Sequence, residues 1–201
     1  PPRSTLFPYT TLFRSVKGLT SGAARTIPHH AAQAHIVIGA PGVSRNDPDY
    51  IALFVGNFVL GGGGFVSRIM EEVRQKRGLA YSAASYFLPL QREGPFVISM
   101  QTRSDQAGEA LKVARATLAT FMKNGPTAEE LEGAKRNIVD GFPLRIDSNR
   151  KIHEHLALIG FYRLPLDYLE DFVQRVERVS AAEIRDAFRR HVDPSRMVTV
   201  V

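Results

Sequence analysis

The chain has 201 residues, 44% of them hydrophobic, enough to bury a full core as one domain or a tightly joined pair of lobes. Lys and Arg (26) exceed Asp and Glu (20), giving +6, but Lys135, Arg136, Arg175 and Arg178 lie among Glu and Asp at helical spacing; this reads as solvated helix faces and argues against nucleic-acid binding. No cysteine is present, which excludes disulfides and thiolate metal sites, and the longest uncharged run, residues 50–67, is too broken by Asn57 and five glycines to supply the roughly 20 apolar residues of a spanning helix.

The first 15 residues stand apart. "TLFPYTTLFRS" (residues 5–15) has no amphipathic period and resembles the conceptual translation of a sequencing-library adapter. Residues 1–15 are therefore set aside as an artefact, and removing Arg3 and Arg14 lowers the formal charge from +6 to +4. On this reading residues 16–201 are an N-terminally truncated fragment, and the native upstream sequence, with any signal peptide, lies outside it.

From residue 31 the pattern is clear: "AQAHIVIGAPGV" (residues 32–43) reads as a strand ending at the Pro41-Gly42 turn. Asp47, with Pro48 in the first turn, opens a helix whose apolar run from Tyr50 to Leu60 is stopped by Gly61, Gly62, Gly63 and Gly64. Phe65, Ile69, Met70 and Val73 recur at three- and four-residue spacing, which predicts a second short helix to about Gln75. Strands follow over residues 79–89 and 95–102, joined through "LQREG". The remainder reads as helices over 105–124, 127–146, 149–162 and 166–179, then one running from the Ser180/Glu183 capping box to His191, and a last strand over 196–201; Thr127 and Glu130 form another box. Strands in runs and helices in runs predict an α+β fold, an antiparallel sheet with helices packed on one face.

The glycine run before a helix invites an anion-site reading, since bare backbone N–H groups at a helix start attract phosphate. "LGGGGFVSRIMEEVRQKRGLAYS" (60–82) has neither the Gly-Lys-Ser/Thr of a Walker loop nor Gly-x-Gly-x-x-Gly after a strand, which discounts a nucleotide site.

The same stretch, extended to "SAASY", strongly resembles the C-terminal half of the M16 metallopeptidases, the insulinase, pitrilysin and mitochondrial processing peptidase group. "HIVIGAPGVSRNDPDY", "GPTAEELEGAKRNIVDGFPLRIDSNRKI" and "IGFYRLPLDYLEDFVQRVERVSAAEIRDAF" stand in the order and spacing of the bacterial two-gene members, so the likeness covers about Thr26 to Val201. The resemblance implies two related halves closing over an unfolded peptide. The catalytic half carries His-x-x-Glu-His, with two His one turn apart to hold zinc and a Glu to activate water. That motif is absent here: His29 and His30 are adjacent, and His153 and His155 are two apart, on roughly opposite sides of a helix. These four, with His35 and His191, read as structural or surface residues. Zinc is thus expected in a catalytic partner half, either the same full-length chain or a separate subunit, and this chain is not expected to be active alone.

In the non-zinc half the family keeps an Arg and a Tyr separated by six residues, and Arg74 and Tyr81 in "RQKRGLAY" match. When zinc-bound water attacks a peptide carbonyl, charge develops on its oxygen; a guanidinium and a phenol reaching over the cleft can stabilise it. Gly61 to Gly64 are expected to line the substrate cavity, where bare backbone can approach an extended peptide. A related glycine-rich loop occurs in the non-catalytic subunit of the processing peptidases, although the longer insertion found there is missing here. Arg77 and Arg92 flank this region as solvated charge. The resulting expectation is the non-catalytic, substrate-binding half of an M16 zinc endopeptidase acting on peptides, with the periplasm as the compartment the resemblance favours. The alternative is a structural or assembly subunit that has the fold without the peptidase work.

Overall fold

A computed structural model describes residues 20–201, so residues 1–15 lie outside the described part. The alternation in the first long strand is what organises it. In β2 (Gln33–Pro41), Ile36, Ile38 and Ala40 are buried while Val37 is exposed. β4 (Pro95–Arg103) pairs antiparallel along all of β2, from Gln33↔Arg103 to Pro41↔Pro95, and buries Phe96, Ile98 and Met100 on the same side. β3 (Ala80–Phe87) flanks β4 and β5 (Val198–Val200) flanks β2, both antiparallel. The expected α+β class holds, with one addition: β1 (Ala23–Arg25) pairs parallel to β5, so the order is β1-β5-β2-β4-β3 and the sheet is mixed. Every residue of β1 is exposed, so its sequence has no apolar alternation to reveal it.

The buried face is covered by α1 (Tyr50–Asn57), α2 (Arg68–Met70), α3 (Ala107–Asn124), α4 (Ala128–Asp140), α6 (Tyr168–Arg178) and α7 (Ala181–His191), with α5 (Asn149–Tyr162) burying only Ile159. Phe188 of α7 is fully buried and meets Phe121, Phe87 and Phe96 edge-on at centroid distances of 4.9, 5.7 and 6.3 Å. These contacts knit α3 and α7 to the two strands beneath. No helix among the described residues is long and apolar enough to cross a membrane.

Both capping boxes form as the sequence predicts, Thr127 with Glu130 and Ser180 with Glu183. Asp47 organises the turn before α1: its carboxylate accepts from the Asp49 N–H at 2.9 Å and its carbonyl from the Tyr50 N–H at 3.0 Å. The helix expected over 127–146 ends at Asp140, and a 3₁₀ turn, Pro143–Arg145, replaces its last turns. Pro143 is the cause, because proline has no N–H to donate and its ring collides with the carbonyl four residues back.

The largest departure lies at the glycines. They do not stop the apolar helix; it widens into a π-helical turn, Phe58–Gly62, in which the Gly63 N–H reaches the Phe58 carbonyl at 2.8 Å. A 3₁₀ turn, Gly64–Val66, then leads into α2, which itself widens into a second π turn, Glu71–Gln75. Gly61 is buried directly against β3: a Cβ there would lie 2.5 Å from the Ser85 backbone nitrogen. Asn57 and Ser85 seal this contact reciprocally, the Asn57 amide donating to the Ser85 carbonyl (3.0 Å) and the Ser85 hydroxyl to the Asn57 Oδ1 (2.7 Å). All of these polar groups are buried and satisfied.

Two ionic clasps hold the layer. Arg190 of α7 grips Asp49 through two bonds of 2.8 Å. Arg68 of α2 bonds Glu130 through Nε (2.6 Å) and Nη2 (2.5 Å) and also donates to the Gly125 carbonyl at 3.0 Å, tying the glycine-loop helix to the α3–α4 junction. Burial alone would raise the Glu130 pKa, but the Arg68 hydrogen bonds and the Thr127 N–H outweigh it and hold the carboxyl below its ordinary 4.5.

Two stability measurements test this packing. Gly61→Ala should cost about 1–3 kcal/mol in urea unfolding, because a backbone nitrogen cannot move aside, whereas Gly108→Ala, on the exposed side of α3 with nothing within 4 Å, should be neutral or stabilising by about 0.5–1 kcal/mol. Glu130→Gln should cost roughly 1–2 kcal/mol at neutral pH. A depressed native pKa contributes stability that is complete above 4.5 and lost as pH falls through the lower native value, so the gap between the variant and the parent should close on acidification over that range. A gap independent of pH would contradict the Arg68 clasp.

Candidate functional site

Arg74 lies in the second π turn and Tyr81 near the start of β3. Val73 is fully buried, so the turn is anchored and its next side chain emerges at the surface. β3 carries a bulge: Ala80 pairs with Thr102 and Ser82 with Gln101, which leaves Tyr81 as the extra residue. Strict alternation from buried Ala80 turns Tyr81 outward, where it stands 75% exposed, and would bury Ser82 and Ala84; the inserted residue reverses the phase after it, so Ala83 and Ser85 face inward instead.

The structure brings the two predicted residues together and adds a third. The Arg74 guanidinium carbon is 5.5 Å from the centre of the Tyr81 ring and 4.9 Å from that of Phe65. Phe65, expected on the buried stripe of the short helix, is instead 62% exposed on the 3₁₀ turn. It is held there by Gln75, whose side-chain amide donates to the Phe65 carbonyl at 2.7 Å, and by Ser67, whose hydroxyl donates to the Gly64 carbonyl at 2.7 Å. Sequence reasoning assigned Phe65 to a helical period that the glycine-induced turn interrupts.

Arg74 also differs from its neighbours in charge. Arg68 pairs with Glu130, Arg77 with Glu72 and Lys76 with both Glu71 and Glu72. Hydrogen bonds from Lys76 and Arg77 pull the Glu72 pKa down, a sign that these charges satisfy one another. Among the described residues no carboxylate lies within ion-pair distance of Arg74; two aromatic rings orient it without neutralising it. A partly exposed guanidinium with its donors free beside an exposed phenol is suited to hold a carbonyl oxygen or an oxyanion.

The glycines behave as individuals. A Cβ on Gly62 would lie 2.7 Å from the Asn57 side-chain nitrogen and one on Gly63 2.8 Å from the Phe58 carbonyl oxygen, so the π turn itself demands bare backbone. Gly64 has no such neighbour but takes φ = +63°, in the left-handed region. Gly61, Gly62 and Gly64 line a cleft of about 510 Å³ alongside β3; Gly63 does not.

The histidines do not assemble a zinc site. His153 and Glu154 project from α5 into solvent. Asp47, Asp49 and His191 converge, with ligand atoms within 4.8 Å of one another. Both Asp49 oxygens are already engaged by Arg190 at 2.8 Å, and His191 Nε2 lies 3.0 Å from Asp49 Oδ2. The Arg190 bonds hold the Asp49 pKa below its ordinary value. A dication here would have to displace a bidentate guanidinium, so this cluster fits an α1–α7 clasp and not a metal.

The sequence matches the peptidase M16 inactive domain over residues 10–138. The chain belongs to the M16 family, through its inactive domain. A crystal structure of a peptidase M16 inactive domain from Pseudomonas fluorescens superposes with a TM-score of 0.82 at 40% identity, covering 90% of this chain and 42% of that one. An uncharacterized zinc protease of Streptomyces coelicolor is 29% identical over 169 residues, 84% of this chain and 37% of its own length. A Helicobacter pylori relative described as a non-peptidase homolog is 30% identical over 167 residues, 80% of this chain and 37% of its own length. This M16 inactive domain thus spans about two fifths of the length of each. The match is to an inactive domain of the family, and the one group of potential ligands found among the described residues, Asp47, Asp49 and His191, is taken up by the Arg190 clasp.

Proposed function

We propose that this domain is the substrate-side half of an M16 zinc endopeptidase and that Arg74 and Tyr81 act on a peptide carbonyl at a zinc site carried by a catalytic half with His-x-x-Glu-His. The observation that carries this reading is the unpaired Arg74 guanidinium stacked beside the exposed Tyr81 ring at the β3 bulge. Zinc in the catalytic half supplies the activated water. This chain's residues supply orientation: the guanidinium and the phenol donate to the carbonyl oxygen as charge builds on it, each such donor contributing about 3–4 kcal/mol to the step. Phe65 and the bulge fix where those donors stand, which matters because a misplaced donor loses most of its effect. Gly61, Gly62 and Gly64 leave the cleft beside them open to peptide backbone.

Arg74→Ala or Tyr81→Phe, introduced into the domain and reconstituted with its catalytic half, should lower turnover ten- to a thousandfold with zinc content unchanged. Unimpaired turnover in both variants would remove the assigned roles. It would favour the second reading, an assembly role without proteolysis, which the description of the Helicobacter pylori relative as a non-peptidase homolog supports. The chain by itself should hold no stoichiometric zinc; elemental analysis finding one tightly bound zinc per chain would contradict the division of labour.

A further inference from the structure

The cleft beside β3 has a chemistry of its own. One side is aromatic, formed by Tyr50 and Phe54 from α1 and by Phe58 from the first π turn, and the other is the edge strand β3, from Ser82 to Phe87. Tyr50 presents only its ring: its hydroxyl is occupied by Arg45 Nη1 at 2.7 Å, and burial raises its pKa to about 12. Among the described residues no Asp or Glu lines the cleft. Among the described residues the charged one lining it is Arg145, on the turn that Pro143 creates, exposed and with its guanidinium carbon 5.9 Å from the Phe54 ring. The acidic residue nearest in sequence, Asp147, is already paired with Lys151 at 2.9 Å. Among the described residues Arg145 has no carboxylate within ion-pair distance.

We propose that this cleft is a side-chain subsite for the peptide substrate, taking one large apolar side chain against the aromatic wall beside the edge of β3 while Arg145 pairs with an adjacent carboxylate. The proposal rests on the reading of Arg74 and Tyr81 as the groups that meet the substrate carbonyl, and it adds the sequence preference that reading lacks. Volume and polarity favour the apolar side chain: the space far exceeds one Phe or Leu side chain, and transferring such a group from water is favourable by about 1.5–3 kcal/mol. The orphan guanidinium favours the acid, since a carboxylate satisfies it bidentately. The strand sets the spacing. Ser82 joins the cleft directly after Tyr81, and Ala84 and Tyr86 lie three and five residues along β3, roughly 10–17 Å at 3.3 Å per residue. An extended peptide running beside β3 therefore places its apolar–acidic pair about three to five residues from the bond held at Arg74 and Tyr81.

The test is equilibrium binding to this chain alone, by fluorescence anisotropy, with three labelled ten-residue peptides on one polar Gly/Ser/Gln host: central Phe-Glu, Phe-Lys and Ser-Glu. Phe-Glu should bind about tenfold more tightly than either control. Arg145→Glu, at an exposed position, should invert the order of Phe-Glu and Phe-Lys, and Phe58→Ala should remove the advantage of Phe over Ser; a thermal melt of each variant shows that it is folded. Equal binding of the three peptides, no binding below about 1 mM, or a Glu preference that survives Arg145→Glu in a folded variant overturns the subsite. Because the assay reads affinity without the catalytic half, it separates from the turnover test. Lost preference here with impaired Arg74 and Tyr81 variants there rejects the subsite alone, and the converse rejects the carbonyl role alone.

Discussion

The pressing of Gly61 onto β3 is the contact from which the rest of the site follows. Only a residue without Cβ lets the end of the first helix lie against the strand backbone at Ser85, and the reciprocal Asn57–Ser85 bonds make that approach tolerable for buried polar groups. Because the helix must stay in contact through Gly61, it widens into a π turn instead of stopping. The chain then has to reverse within Gly62 to Ser67, which projects Phe65 outward over Arg74 and delivers Arg68 to Glu130. The site is thus a by-product of a packing constraint between one helix and one edge strand.

The distribution of charge separates scaffold from site. Around the glycine loop Arg68, Lys76 and Arg77 are each neutralised by a nearby carboxylate, and their geometry explains itself as structure. Among the described residues, Arg74 and Arg145 are held by aromatic rings without a carboxylate partner; the rings orient a guanidinium and leave its donors free. A domain with no fitting zinc ligands among its described residues can still act in a zinc peptidase if what it contributes is orientation, and guanidinium groups whose donors are free are suited to orienting an extended chain.

Much of the architecture was legible in the sequence because it is written in local signals. Two capping boxes, the apolar alternation of β2 and β4 and the 3.6-residue period of the later helices each depend on residues a few positions apart. The misreadings share a different cause. The chain reads Pro143 and the glycines as punctuation, but whether a helix ends at them depends on what it packs against: at Asp140 nothing compensates the proline, whereas at Gly61 the strand does. β1 has no pattern because its pairing with β5 is purely backbone, between segments nearly the whole chain apart.

For the candidate site, sequence alone singled out Arg74 and Tyr81, through their spacing within a recognisable family pattern, and showed no His-x-x-Glu-His motif in the 201 residues. It could not say that the two meet, because that depends on a bulge whose extra residue changes the phase of β3, and on Phe65 being turned out of a helix that the glycines redirect. Nor could it join Phe54 to Arg145, some ninety residues on, as neighbours lining one cleft. Spacing along the chain specifies local periodicity and composition; which side chains share a space is decided by sheet register and helix packing, both sums over distant contacts.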